Sequence, residues 1–206
     1  MFKRYRIGNA QIIGRREVQS NYFTSAFSKD GGVFAILADG SIDHANGRMA
    51  AVLAVEHCAD SLMWHTPGED TLRFFYDTAV EANIHIQDKI YMGKSPKLSL
   101  TMIFISAYKL YHFNVGMNRV CLYDGNNERL LSGSLTAPYS CGKHEIKPKN
   151  IVALFSDGAF KDAHPMERIK ILGTRKKVYD KAQDIVDAKG LSNQVNATAL
   201  LVEVVR

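Results

Sequence analysis

Two aspartates follow strongly apolar runs, and together they could hold a hard cation. Asp39 ends the run 33–38, Asp157 follows the run 151–155, and a glycine comes directly after each. A carboxylate at the end of a buried strand is costly unless it is paired, hydrogen-bonded or metal-bound. The glycine allows a sharp turn, so that a carbonyl such as that of Gly40 can also face an ion. Asp-Gly is also a very common turn dipeptide, so both interpretations remain open for either copy.

Helices and strands in separate runs must position these aspartates. Apolar residues at three- and four-residue steps predict helices over about 45–64, 69–92 and 176–188, of which the first two form an antiparallel pair. The remaining apolar segments predict strands at 5–13, 22–28, 33–38, 100–107, 110–115, 119–123, 151–155 and 197–205. Helices that are segregated from strands favour an α+β fold over an alternating one. Without repeats or linker-like composition, residues 1–206 are expected to form a single domain.

The order of short motifs resembles the protein phosphatase 2C family of metal-dependent serine/threonine phosphatases. Six segments carry the resemblance, in the family's order: Arg16 to Asn21, Phe34 to Gly40, Ser99-Leu100-Thr101, Asn114 to Arg119, Ser156-Asp157-Gly158 and Val195 to Thr198. The resemblance extends over about residues 7–204. The resemblance implies a four-layer α-β-β-α sandwich, in which two antiparallel sheets are flanked by helix pairs.

The family's site implies a role for each matching residue. There, two divalent metals activate a water that attacks the phosphorus. By motif, Asp39 would bridge the metals, Gly40 would offer its carbonyl and Asp157 would bind one metal. Arg16 would bind the phosphate, because a guanidinium suits bidentate phosphate contact.

Four positions depart from the family's acidic pattern. Ser20 and Asn21 stand where the family has Glu and Asp, while Met117 and Val195 stand where it has Asp. Two carboxylates could still hold one Mg²⁺ or Mn²⁺ weakly, but a paired-metal centre is not expected. A loop could bring in a substitute ligand; the residues close to the remaining aspartates are Asp43, His44 and Asp162.

Two functions follow from the resemblance and its departures. The first is a pseudophosphatase, or a regulatory module that binds a phosphoprotein or a component of a protein kinase pathway. The alternative is an active, divergent Mg²⁺- or Mn²⁺-dependent enzyme that hydrolyses phosphoserine and phosphothreonine. The four lost acids favour the first, and the retained Arg16 and Asp39 favour the second.

The net charge and the cysteines narrow the choice of partner class and of cellular setting. The net charge is +5 and the pI about 9.0, which suits an anionic partner. Nucleic acid is a weaker candidate, because the basic cluster is interpreted as a solvated helix face; its members are Arg168, Lys170, Arg175, Lys176, Lys177 and Lys181. The three cysteines lack metal-site spacing and no apolar run is long enough to span a membrane, so a reducing, cytoplasmic setting without membrane contact is expected.

Overall fold

The computed structural model describes residues 4–40, 46–90, 97–132, 138–188 and 195–205. The strands are β1 (Tyr5–Ile12), β2 (Asn21–Phe27), β3 (Val33–Gly40), β4 (Leu98–Ser106), β5 (Lys109–Val115), β6 (Arg119–Tyr123), β7 (Glu128–Leu130), β8 (Tyr139–Glu145), β9 (Ile151–Phe155) and β10 (Ala197–Val204). The helices are α1 (Gly47–Trp64), α2 (Thr71–Lys89), α3 (Asp157–Asp162), α4 (Pro165–Leu172) and α5 (Val178–Asp187).

Two five-stranded antiparallel sheets pack face to face. The β10 sheet has the order β1-β10-β9-β6-β7, and the β3 sheet has the order β2-β3-β4-β5-β8. Helices α1 and α2 cover the outer face of the β3 sheet, and α3, α4 and α5 cover that of the β10 sheet. The predicted α+β class is therefore confirmed. Three short helices, rather than one pair, form the layer on the β10 sheet.

The central strands are buried on both faces, which explains their continuous apolar runs. In β3, Val33, Ala35 and Leu37 face the β10 sheet, while alternate residues such as Phe34 and Ile36 face α1 and α2. Side chains alternate along a strand. Asp39 therefore continues the series of Leu37 and points between the sheets.

A glycine contact sets α1 against the end of β3. A Cβ on Gly40 would lie 2.0 Å from the carbonyl oxygen of Gly47, the first residue of α1. Small buried residues continue this close approach along the helix, including Ala50, Ala54 and Cys58. Only glycine at position 40 allows the two backbones to meet here.

The Asp-Gly pairs take different conformations. Asp30-Gly31 and Asp124-Gly125 form turns between neighbouring strands, with Gly31 and Gly125 at positive φ, as their sequences predict. Asp157-Gly158 instead opens helix α3, because the Ser156 hydroxyl accepts from the Ala159 amide as an N-cap.

The interpretation of the basic cluster as one solvated helix face is wrong. Its residues lie on two helices, α4 and α5, and on the segment between them. Arg168 is 2% exposed and binds Glu128 through Nε, at 2.9 and 3.0 Å, and through Nη2, at 2.5 Å. Lys181 is 5% exposed, and its Nζ donates to the Leu172 carbonyl at 2.8 Å. The sequence pattern missed both partners because Glu128 lies forty residues away and Leu172 belongs to another helix.

None of the helices within the described ranges has the length and apolarity needed to cross a bilayer.

Candidate functional site

Asp39 and Asp157 meet at one end of the two packed sheets. Asp39 lies at the end of β3, and Asn21 stands directly opposite it at the start of β2. Asp157 follows β9 in the other sheet. The charge of Asp157 helps to raise the pKa of Asp39, so the two carboxylates lie within electrostatic reach of each other.

Asp39 accepts hydrogen bonds from neutral side chains. Ser20 donates its hydroxyl to Asp39 Oδ1 at 3.1 Å. The Asn21 amide satisfies its neighbours when its nitrogen faces Asp39, and it then donates to Oδ1 at 2.5 Å. Burial, with a smaller contribution from Asp157, raises the pKa of Asp39 to about 6, and the Ser20 hydrogen bond opposes this rise. The carboxyl is therefore ionised at neutral pH and protonated in mild acid.

The same amide joins the two sheets. With this orientation, Asn21 Oδ1 accepts from Ser156 Oγ at 3.2 Å and from Thr198 Oγ1 at 3.0 Å. The Thr198 hydroxyl also accepts from Gln11 Nε2 at 3.0 Å, and Gln11 lies on β1. A second link runs from Asn196 Nδ2 to Ser20 Oγ at 3.0 Å. Neutral groups thus connect β1, β2, β3 and β10 around Asp39.

Asp157 has a cationic partner on its own helix. Lys161 Nζ lies 2.8 Å from Asp157 Oδ2, four residues along the chain. The carboxylate also occupies the first turn of α3, where the helix dipole favours negative charge. Asp157 is therefore stabilised without a metal.

The four positions that depart from the family pattern surround this network. Ser20 and Asn21 contact Asp39 directly. Val195 lies beside Gly158, since a Cβ on that glycine would come within 2.9 Å of Val195 Cγ2. Met117 is exposed in the turn between β5 and β6, where its amide donates to Ser99 Oγ at 3.0 Å.

Arg16 lies on the loop between β1 and β2. Its side chain is exposed and makes no ion pair with a described residue. The loop is held by Gln19 Nε2, which donates to the Ile12 carbonyl at 3.0 Å, and by Asn196 Nδ2, which donates to the Val18 carbonyl at 3.0 Å. Because Asn196 also contacts Ser20, the loop is anchored to the network around Asp39.

Three further cations lie close to these residues, and the sequence patterns did not single them out as site residues. Arg48 donates to the Asn21 carbonyl, and its guanidinium lies 4.7 Å from the Tyr22 ring centroid. Arg119 donates to the Met117 carbonyl at 2.6 Å. Lys161 pairs with Asp157, and its four-residue spacing was the one available signal for it in the sequence.

The residues at this site do not fit a paired-metal centre. Within the described ranges, no group of three or more His, Cys, Asp or Glu side chains could hold a metal ion. Asp39 and Asp157 already accept from Ser20, Asn21 and Lys161. Two metals need several more acidic oxygens than these two carboxylates offer.

The candidate substitute ligands do not complete such a centre in the part of the chain that is described. Asp43 and His44 lie outside the described residues. Asp162 ends α3, five residues after Asp157, and this spacing turns it by about 140° around the helix axis.

Comparison with known proteins gives structural matches but no sequence match. No protein-family model matches the chain, and no curated protein matches it by sequence. Three solved bacterial proteins share its fold over nearly the whole chain. The serine/threonine phosphatase of S. agalactiae has a TM-score of 0.84 and 20% identity, over 97% of this chain and 99% of that one. The catalytic domain of PstP, a serine threonine protein phosphatase solved with two manganese ions, has a TM-score of 0.85 and 17% identity, over 98% of this chain and 99% of that one.

The third is Stp1 from Staphylococcus aureus, with a TM-score of 0.85 and 12% identity, over 96% of this chain and 94% of that one. At such low identity the likeness concerns the fold. The resemblance to protein phosphatase 2C that the motifs indicate is therefore confirmed at the level of architecture.

Proposed function

We propose that this chain, which has the serine/threonine phosphatase fold, is a pseudophosphatase: a single domain over 1–206 that binds a phosphorylated protein without hydrolysing it. In this proposal Asp39, Gly40 and Asp157 are the remnant of a metal site. Ser20, Asn21, Met117 and Val195 are the positions at which that site was lost, and Arg16 is the phosphate-binding residue.

The observation that carries the proposal is the set of hydrogen bonds around Asp39. Its carboxylate accepts from Ser20 and Asn21, and Asn21 is in turn bonded to Ser156 and Thr198 of the other sheet. A metal ion bound at Asp39 Oδ1 would compete with donors that also hold the two sheets together. Removing such donors leaves buried polar groups unsatisfied, at about 1–3 kcal/mol each.

Phosphate recognition without a metal is supported by the cations around the two aspartates. The side chains of Arg16 and Lys161 are both exposed, that of Lys161 by 60%, so both are accessible to a phosphate. Arg48 and Arg119 anchor the adjacent backbone. Arginine binds phosphate through paired, charge-assisted hydrogen bonds, and these four cations outnumber the two carboxylates.

The proposed partner is a phosphoprotein, which connects the domain with a protein kinase pathway. Nucleic acid fits less well, because the basic cluster is interrupted: Arg168 is buried against Glu128, and Lys176 pairs with Asp184 at 2.6 Å. The proposed setting is the cytoplasm, away from membranes. Cys58 and Cys121 are buried free thiols, which suits a reducing compartment.

Turnover separates this proposal from its alternative, an active enzyme that uses one weakly bound Mg²⁺ or Mn²⁺. Hydrolysis of an aryl phosphate and of phosphoserine and phosphothreonine peptides is measured in millimolar Mn²⁺ and Mg²⁺, with Asp39→Asn as the matched control. We expect the same background rate from both proteins. Metal-dependent turnover that Asp39→Asn abolishes would establish the enzyme and overturn the proposal.

Binding is measured separately, with the same phosphopeptides in a metal chelator. We expect Arg16→Ala to weaken binding about tenfold, which corresponds to one charge-assisted contact. Arg15→Ala, which removes the neighbouring exposed arginine and the same charge, is the matched control and should have a smaller effect. Equal loss in the two variants would show that Arg16 contributes only general charge.

A further inference from the structure

A cavity with several cationic lining residues lies at the opposite end of the β10 sheet from Asp157. Strand β10 begins at Ala197, beside the Asp39 network, and runs to Val204 at this cavity, a distance of about 24 Å. The cavity has a volume of about 580 Å³ and is bounded by α4, α5 and the ends of β1, β6, β9 and β10. We call it the basic cavity.

Its charge is strongly positive. Arg6, Lys149, Arg175 and Lys181 line it, and Glu203 is the one acidic lining residue among those described. Arg6 Nη1 lies 3.5 Å from Glu203 Oε2 in an exposed ion pair. The remaining cations leave the cavity with a net charge of three positive units, which concentrates a field attractive to anions.

Lys181 is the buried centre of this charge. The residue is 5% exposed, and its ammonium group donates one hydrogen bond, to the Leu172 carbonyl at 2.8 Å. An ammonium has three protons to donate, and among the described residues only the Leu172 carbonyl accepts a hydrogen bond from it. Burial lowers the pKa of Lys181, and the nearby Glu203 carboxylate partly opposes this by favouring the charged form. A buried cation with spare donors is unusual unless a further partner completes it.

Lys149 adds a second unusual feature at the edge of the cavity. Its φ is +74°, a left-handed conformation that glycine and asparagine adopt more readily than lysine. The turn is fixed on both sides, since the Lys149 amide donates to the Val204 carbonyl at 2.7 Å and the Lys147 amide donates to Asn150 Oδ1 at 2.8 Å. The fold thus holds a lysine, rather than a glycine, in a strained position beside the other cations.

The walls of the cavity provide apolar surface as well as charge. Val205 and the alkyl chains of the lining cations provide it. They lie over a floor of Ile151, Leu172 and Tyr123, which belong to the core and are each less than 5% exposed. The volume lies within the range of about 300–1,000 Å³ that is usual for small-molecule sites. A single inorganic phosphate would leave most of this space empty.

We propose that the basic cavity binds a small organic phosphate of nucleotide size. Lys181 and Arg175 contact the phosphoryl oxygens, Lys149 neutralises further charge at the edge, and the apolar wall receives the organic part. This site is separate from the proposed phosphoprotein site, because the two lie at opposite ends of β10.

Calorimetry on the full chain tests the assignment, with ATP, AMP, inorganic phosphate and adenosine as probes. We expect saturable binding of ATP or AMP, weaker binding of inorganic phosphate and none of adenosine. Arg175→Ala should weaken nucleotide binding at least tenfold, whereas Lys89→Ala, which removes an exposed cation on α2, should leave it unchanged. Equal affinity for AMP and inorganic phosphate would overturn the assignment to an organic phosphate.

Lys181→Met distinguishes a ligand-binding role from a structural one. If the ammonium serves the ligand, this variant loses nucleotide binding while its thermal midpoint without ligand stays equal or rises, because a buried charge has been removed. If the ammonium serves only to bind Leu172, the midpoint falls and binding to the remaining folded protein persists. That second result would overturn the proposal. So would nucleotide binding that Arg175→Ala leaves unaffected, or a phosphopeptide that binds the cavity where AMP does not.

Discussion

At one end of the β10 sheet, the Asp39 and Asp157 carboxylates both have partners within the protein; at the other end, the buried Lys181 ammonium donates to a single carbonyl among the described residues. The Asp39 end contains two carboxylates, and both accept from Ser20, Asn21 or Lys161. At the basic cavity, Lys181 donates to one carbonyl and faces a single shared carboxylate, Glu203. A polar group bonded within the protein needs no further partner, whereas a buried donor with unused capacity needs an explanation, which the proposed ligand provides.

Arg168 provides the strongest test of this difference, because it is a buried cation that is fully paired. Besides Glu128, it donates to the carbonyls of Phe160 and Ala163 at 3.0 and 2.5 Å. We expect Arg168→Met to reduce the free energy of unfolding by about 3–5 kcal/mol, since it leaves the Glu128 carboxylate buried and alone. Chemical denaturation measures the loss. Lys181→Met is the comparison, and a similar loss there would remove the distinction between the two cations.

Gly40→Ala tests whether the Asp39 end is a packed structural unit. The new methyl group would lie 2.0 Å from the Gly47 carbonyl oxygen, so the first turn of α1 must move. We expect a loss of about 3 kcal/mol in the free energy of unfolding. Gly68→Ala is the matched control, because a Cβ at Gly68 meets nothing within 4 Å, and it should change stability by less than about 0.5 kcal/mol. Equal effects in both variants would contradict the close contact of β3 and α1.

Asp39→Asn tests the electrostatics at that same end. Burial raises the pKa of Asp39 from 3.8 to about 6, so the native state holds this proton more tightly than the unfolded chain. The wild-type protein therefore loses stability as pH rises from about 4 to about 6, by at most about 3 kcal/mol. Relative to wild type, Asp39→Asn should gain stability over that window and keep the gain at higher pH.

Urea denaturation of both proteins at several pH values measures this difference. Asp60→Asn, on the exposed side of α1, controls for the loss of one carboxylate. A stability difference between wild type and Asp39→Asn that shrinks as pH rises would show that the carboxylate is stabilised, not penalised, by its surroundings.

Acidic residues restored at the four departing positions should give the Asp39 end a need for a ligand, as the basic cavity has. We expect the double variant Met117→Asp and Val195→Asp to bind Mn²⁺ about tenfold more tightly than wild type, or about 1.4 kcal/mol, because each new carboxylate adds a hard oxygen ligand. Adding Ser20→Glu and Asn21→Asp should strengthen binding further while weakening the links between the sheets. Calorimetry measures the affinity, and Met166→Asp controls for a new acid at an exposed methionine elsewhere. If the folded variants bind Mn²⁺ no better than wild type, the motif alignment is wrong.

The main elements of the fold and the meeting of two aspartates were predictable from local sequence. Residues 33–38 and 151–155 are apolar enough to require burial on both faces, and the motif order placed Asp39 and Asp157 at one cleft. The edge strand β8 was missed because its residues alternate between exposed and half-buried and include few apolar side chains. Helix α3 was missed because Asp-Gly predicts a turn, whereas the Ser156 cap turns it into a helix start.

The polar network and the basic cavity depend on contacts that no local pattern contains. Asn21 and Thr198 are far apart in the sequence, and the hydrogen bond from Thr198 Oγ1 to Asn21 Oδ1 exists only because the two sheets stack. In the sequence, Lys181 is one of several cations on or beside a predicted helix; in the structure, the end of α4 covers it. Contacts between elements that are distant in the sequence determine which cation is buried and which is solvated. The spacing of cations along one helix does not predict this.

The pairing of β1 also has a consequence for how the molecule is made. Among the described strands, β1 pairs with β10 alone, with Tyr5 opposite Val204, and β10 is also the neighbour of β9. On the ribosome, β1 emerges about two hundred residues before this partner strand. The β10 sheet therefore assembles late, and pairing across such a long sequence separation is slow. Until β10 arrives, β1 and one edge of β9 remain open, so translation arrested before residue 197 should yield an aggregation-prone chain.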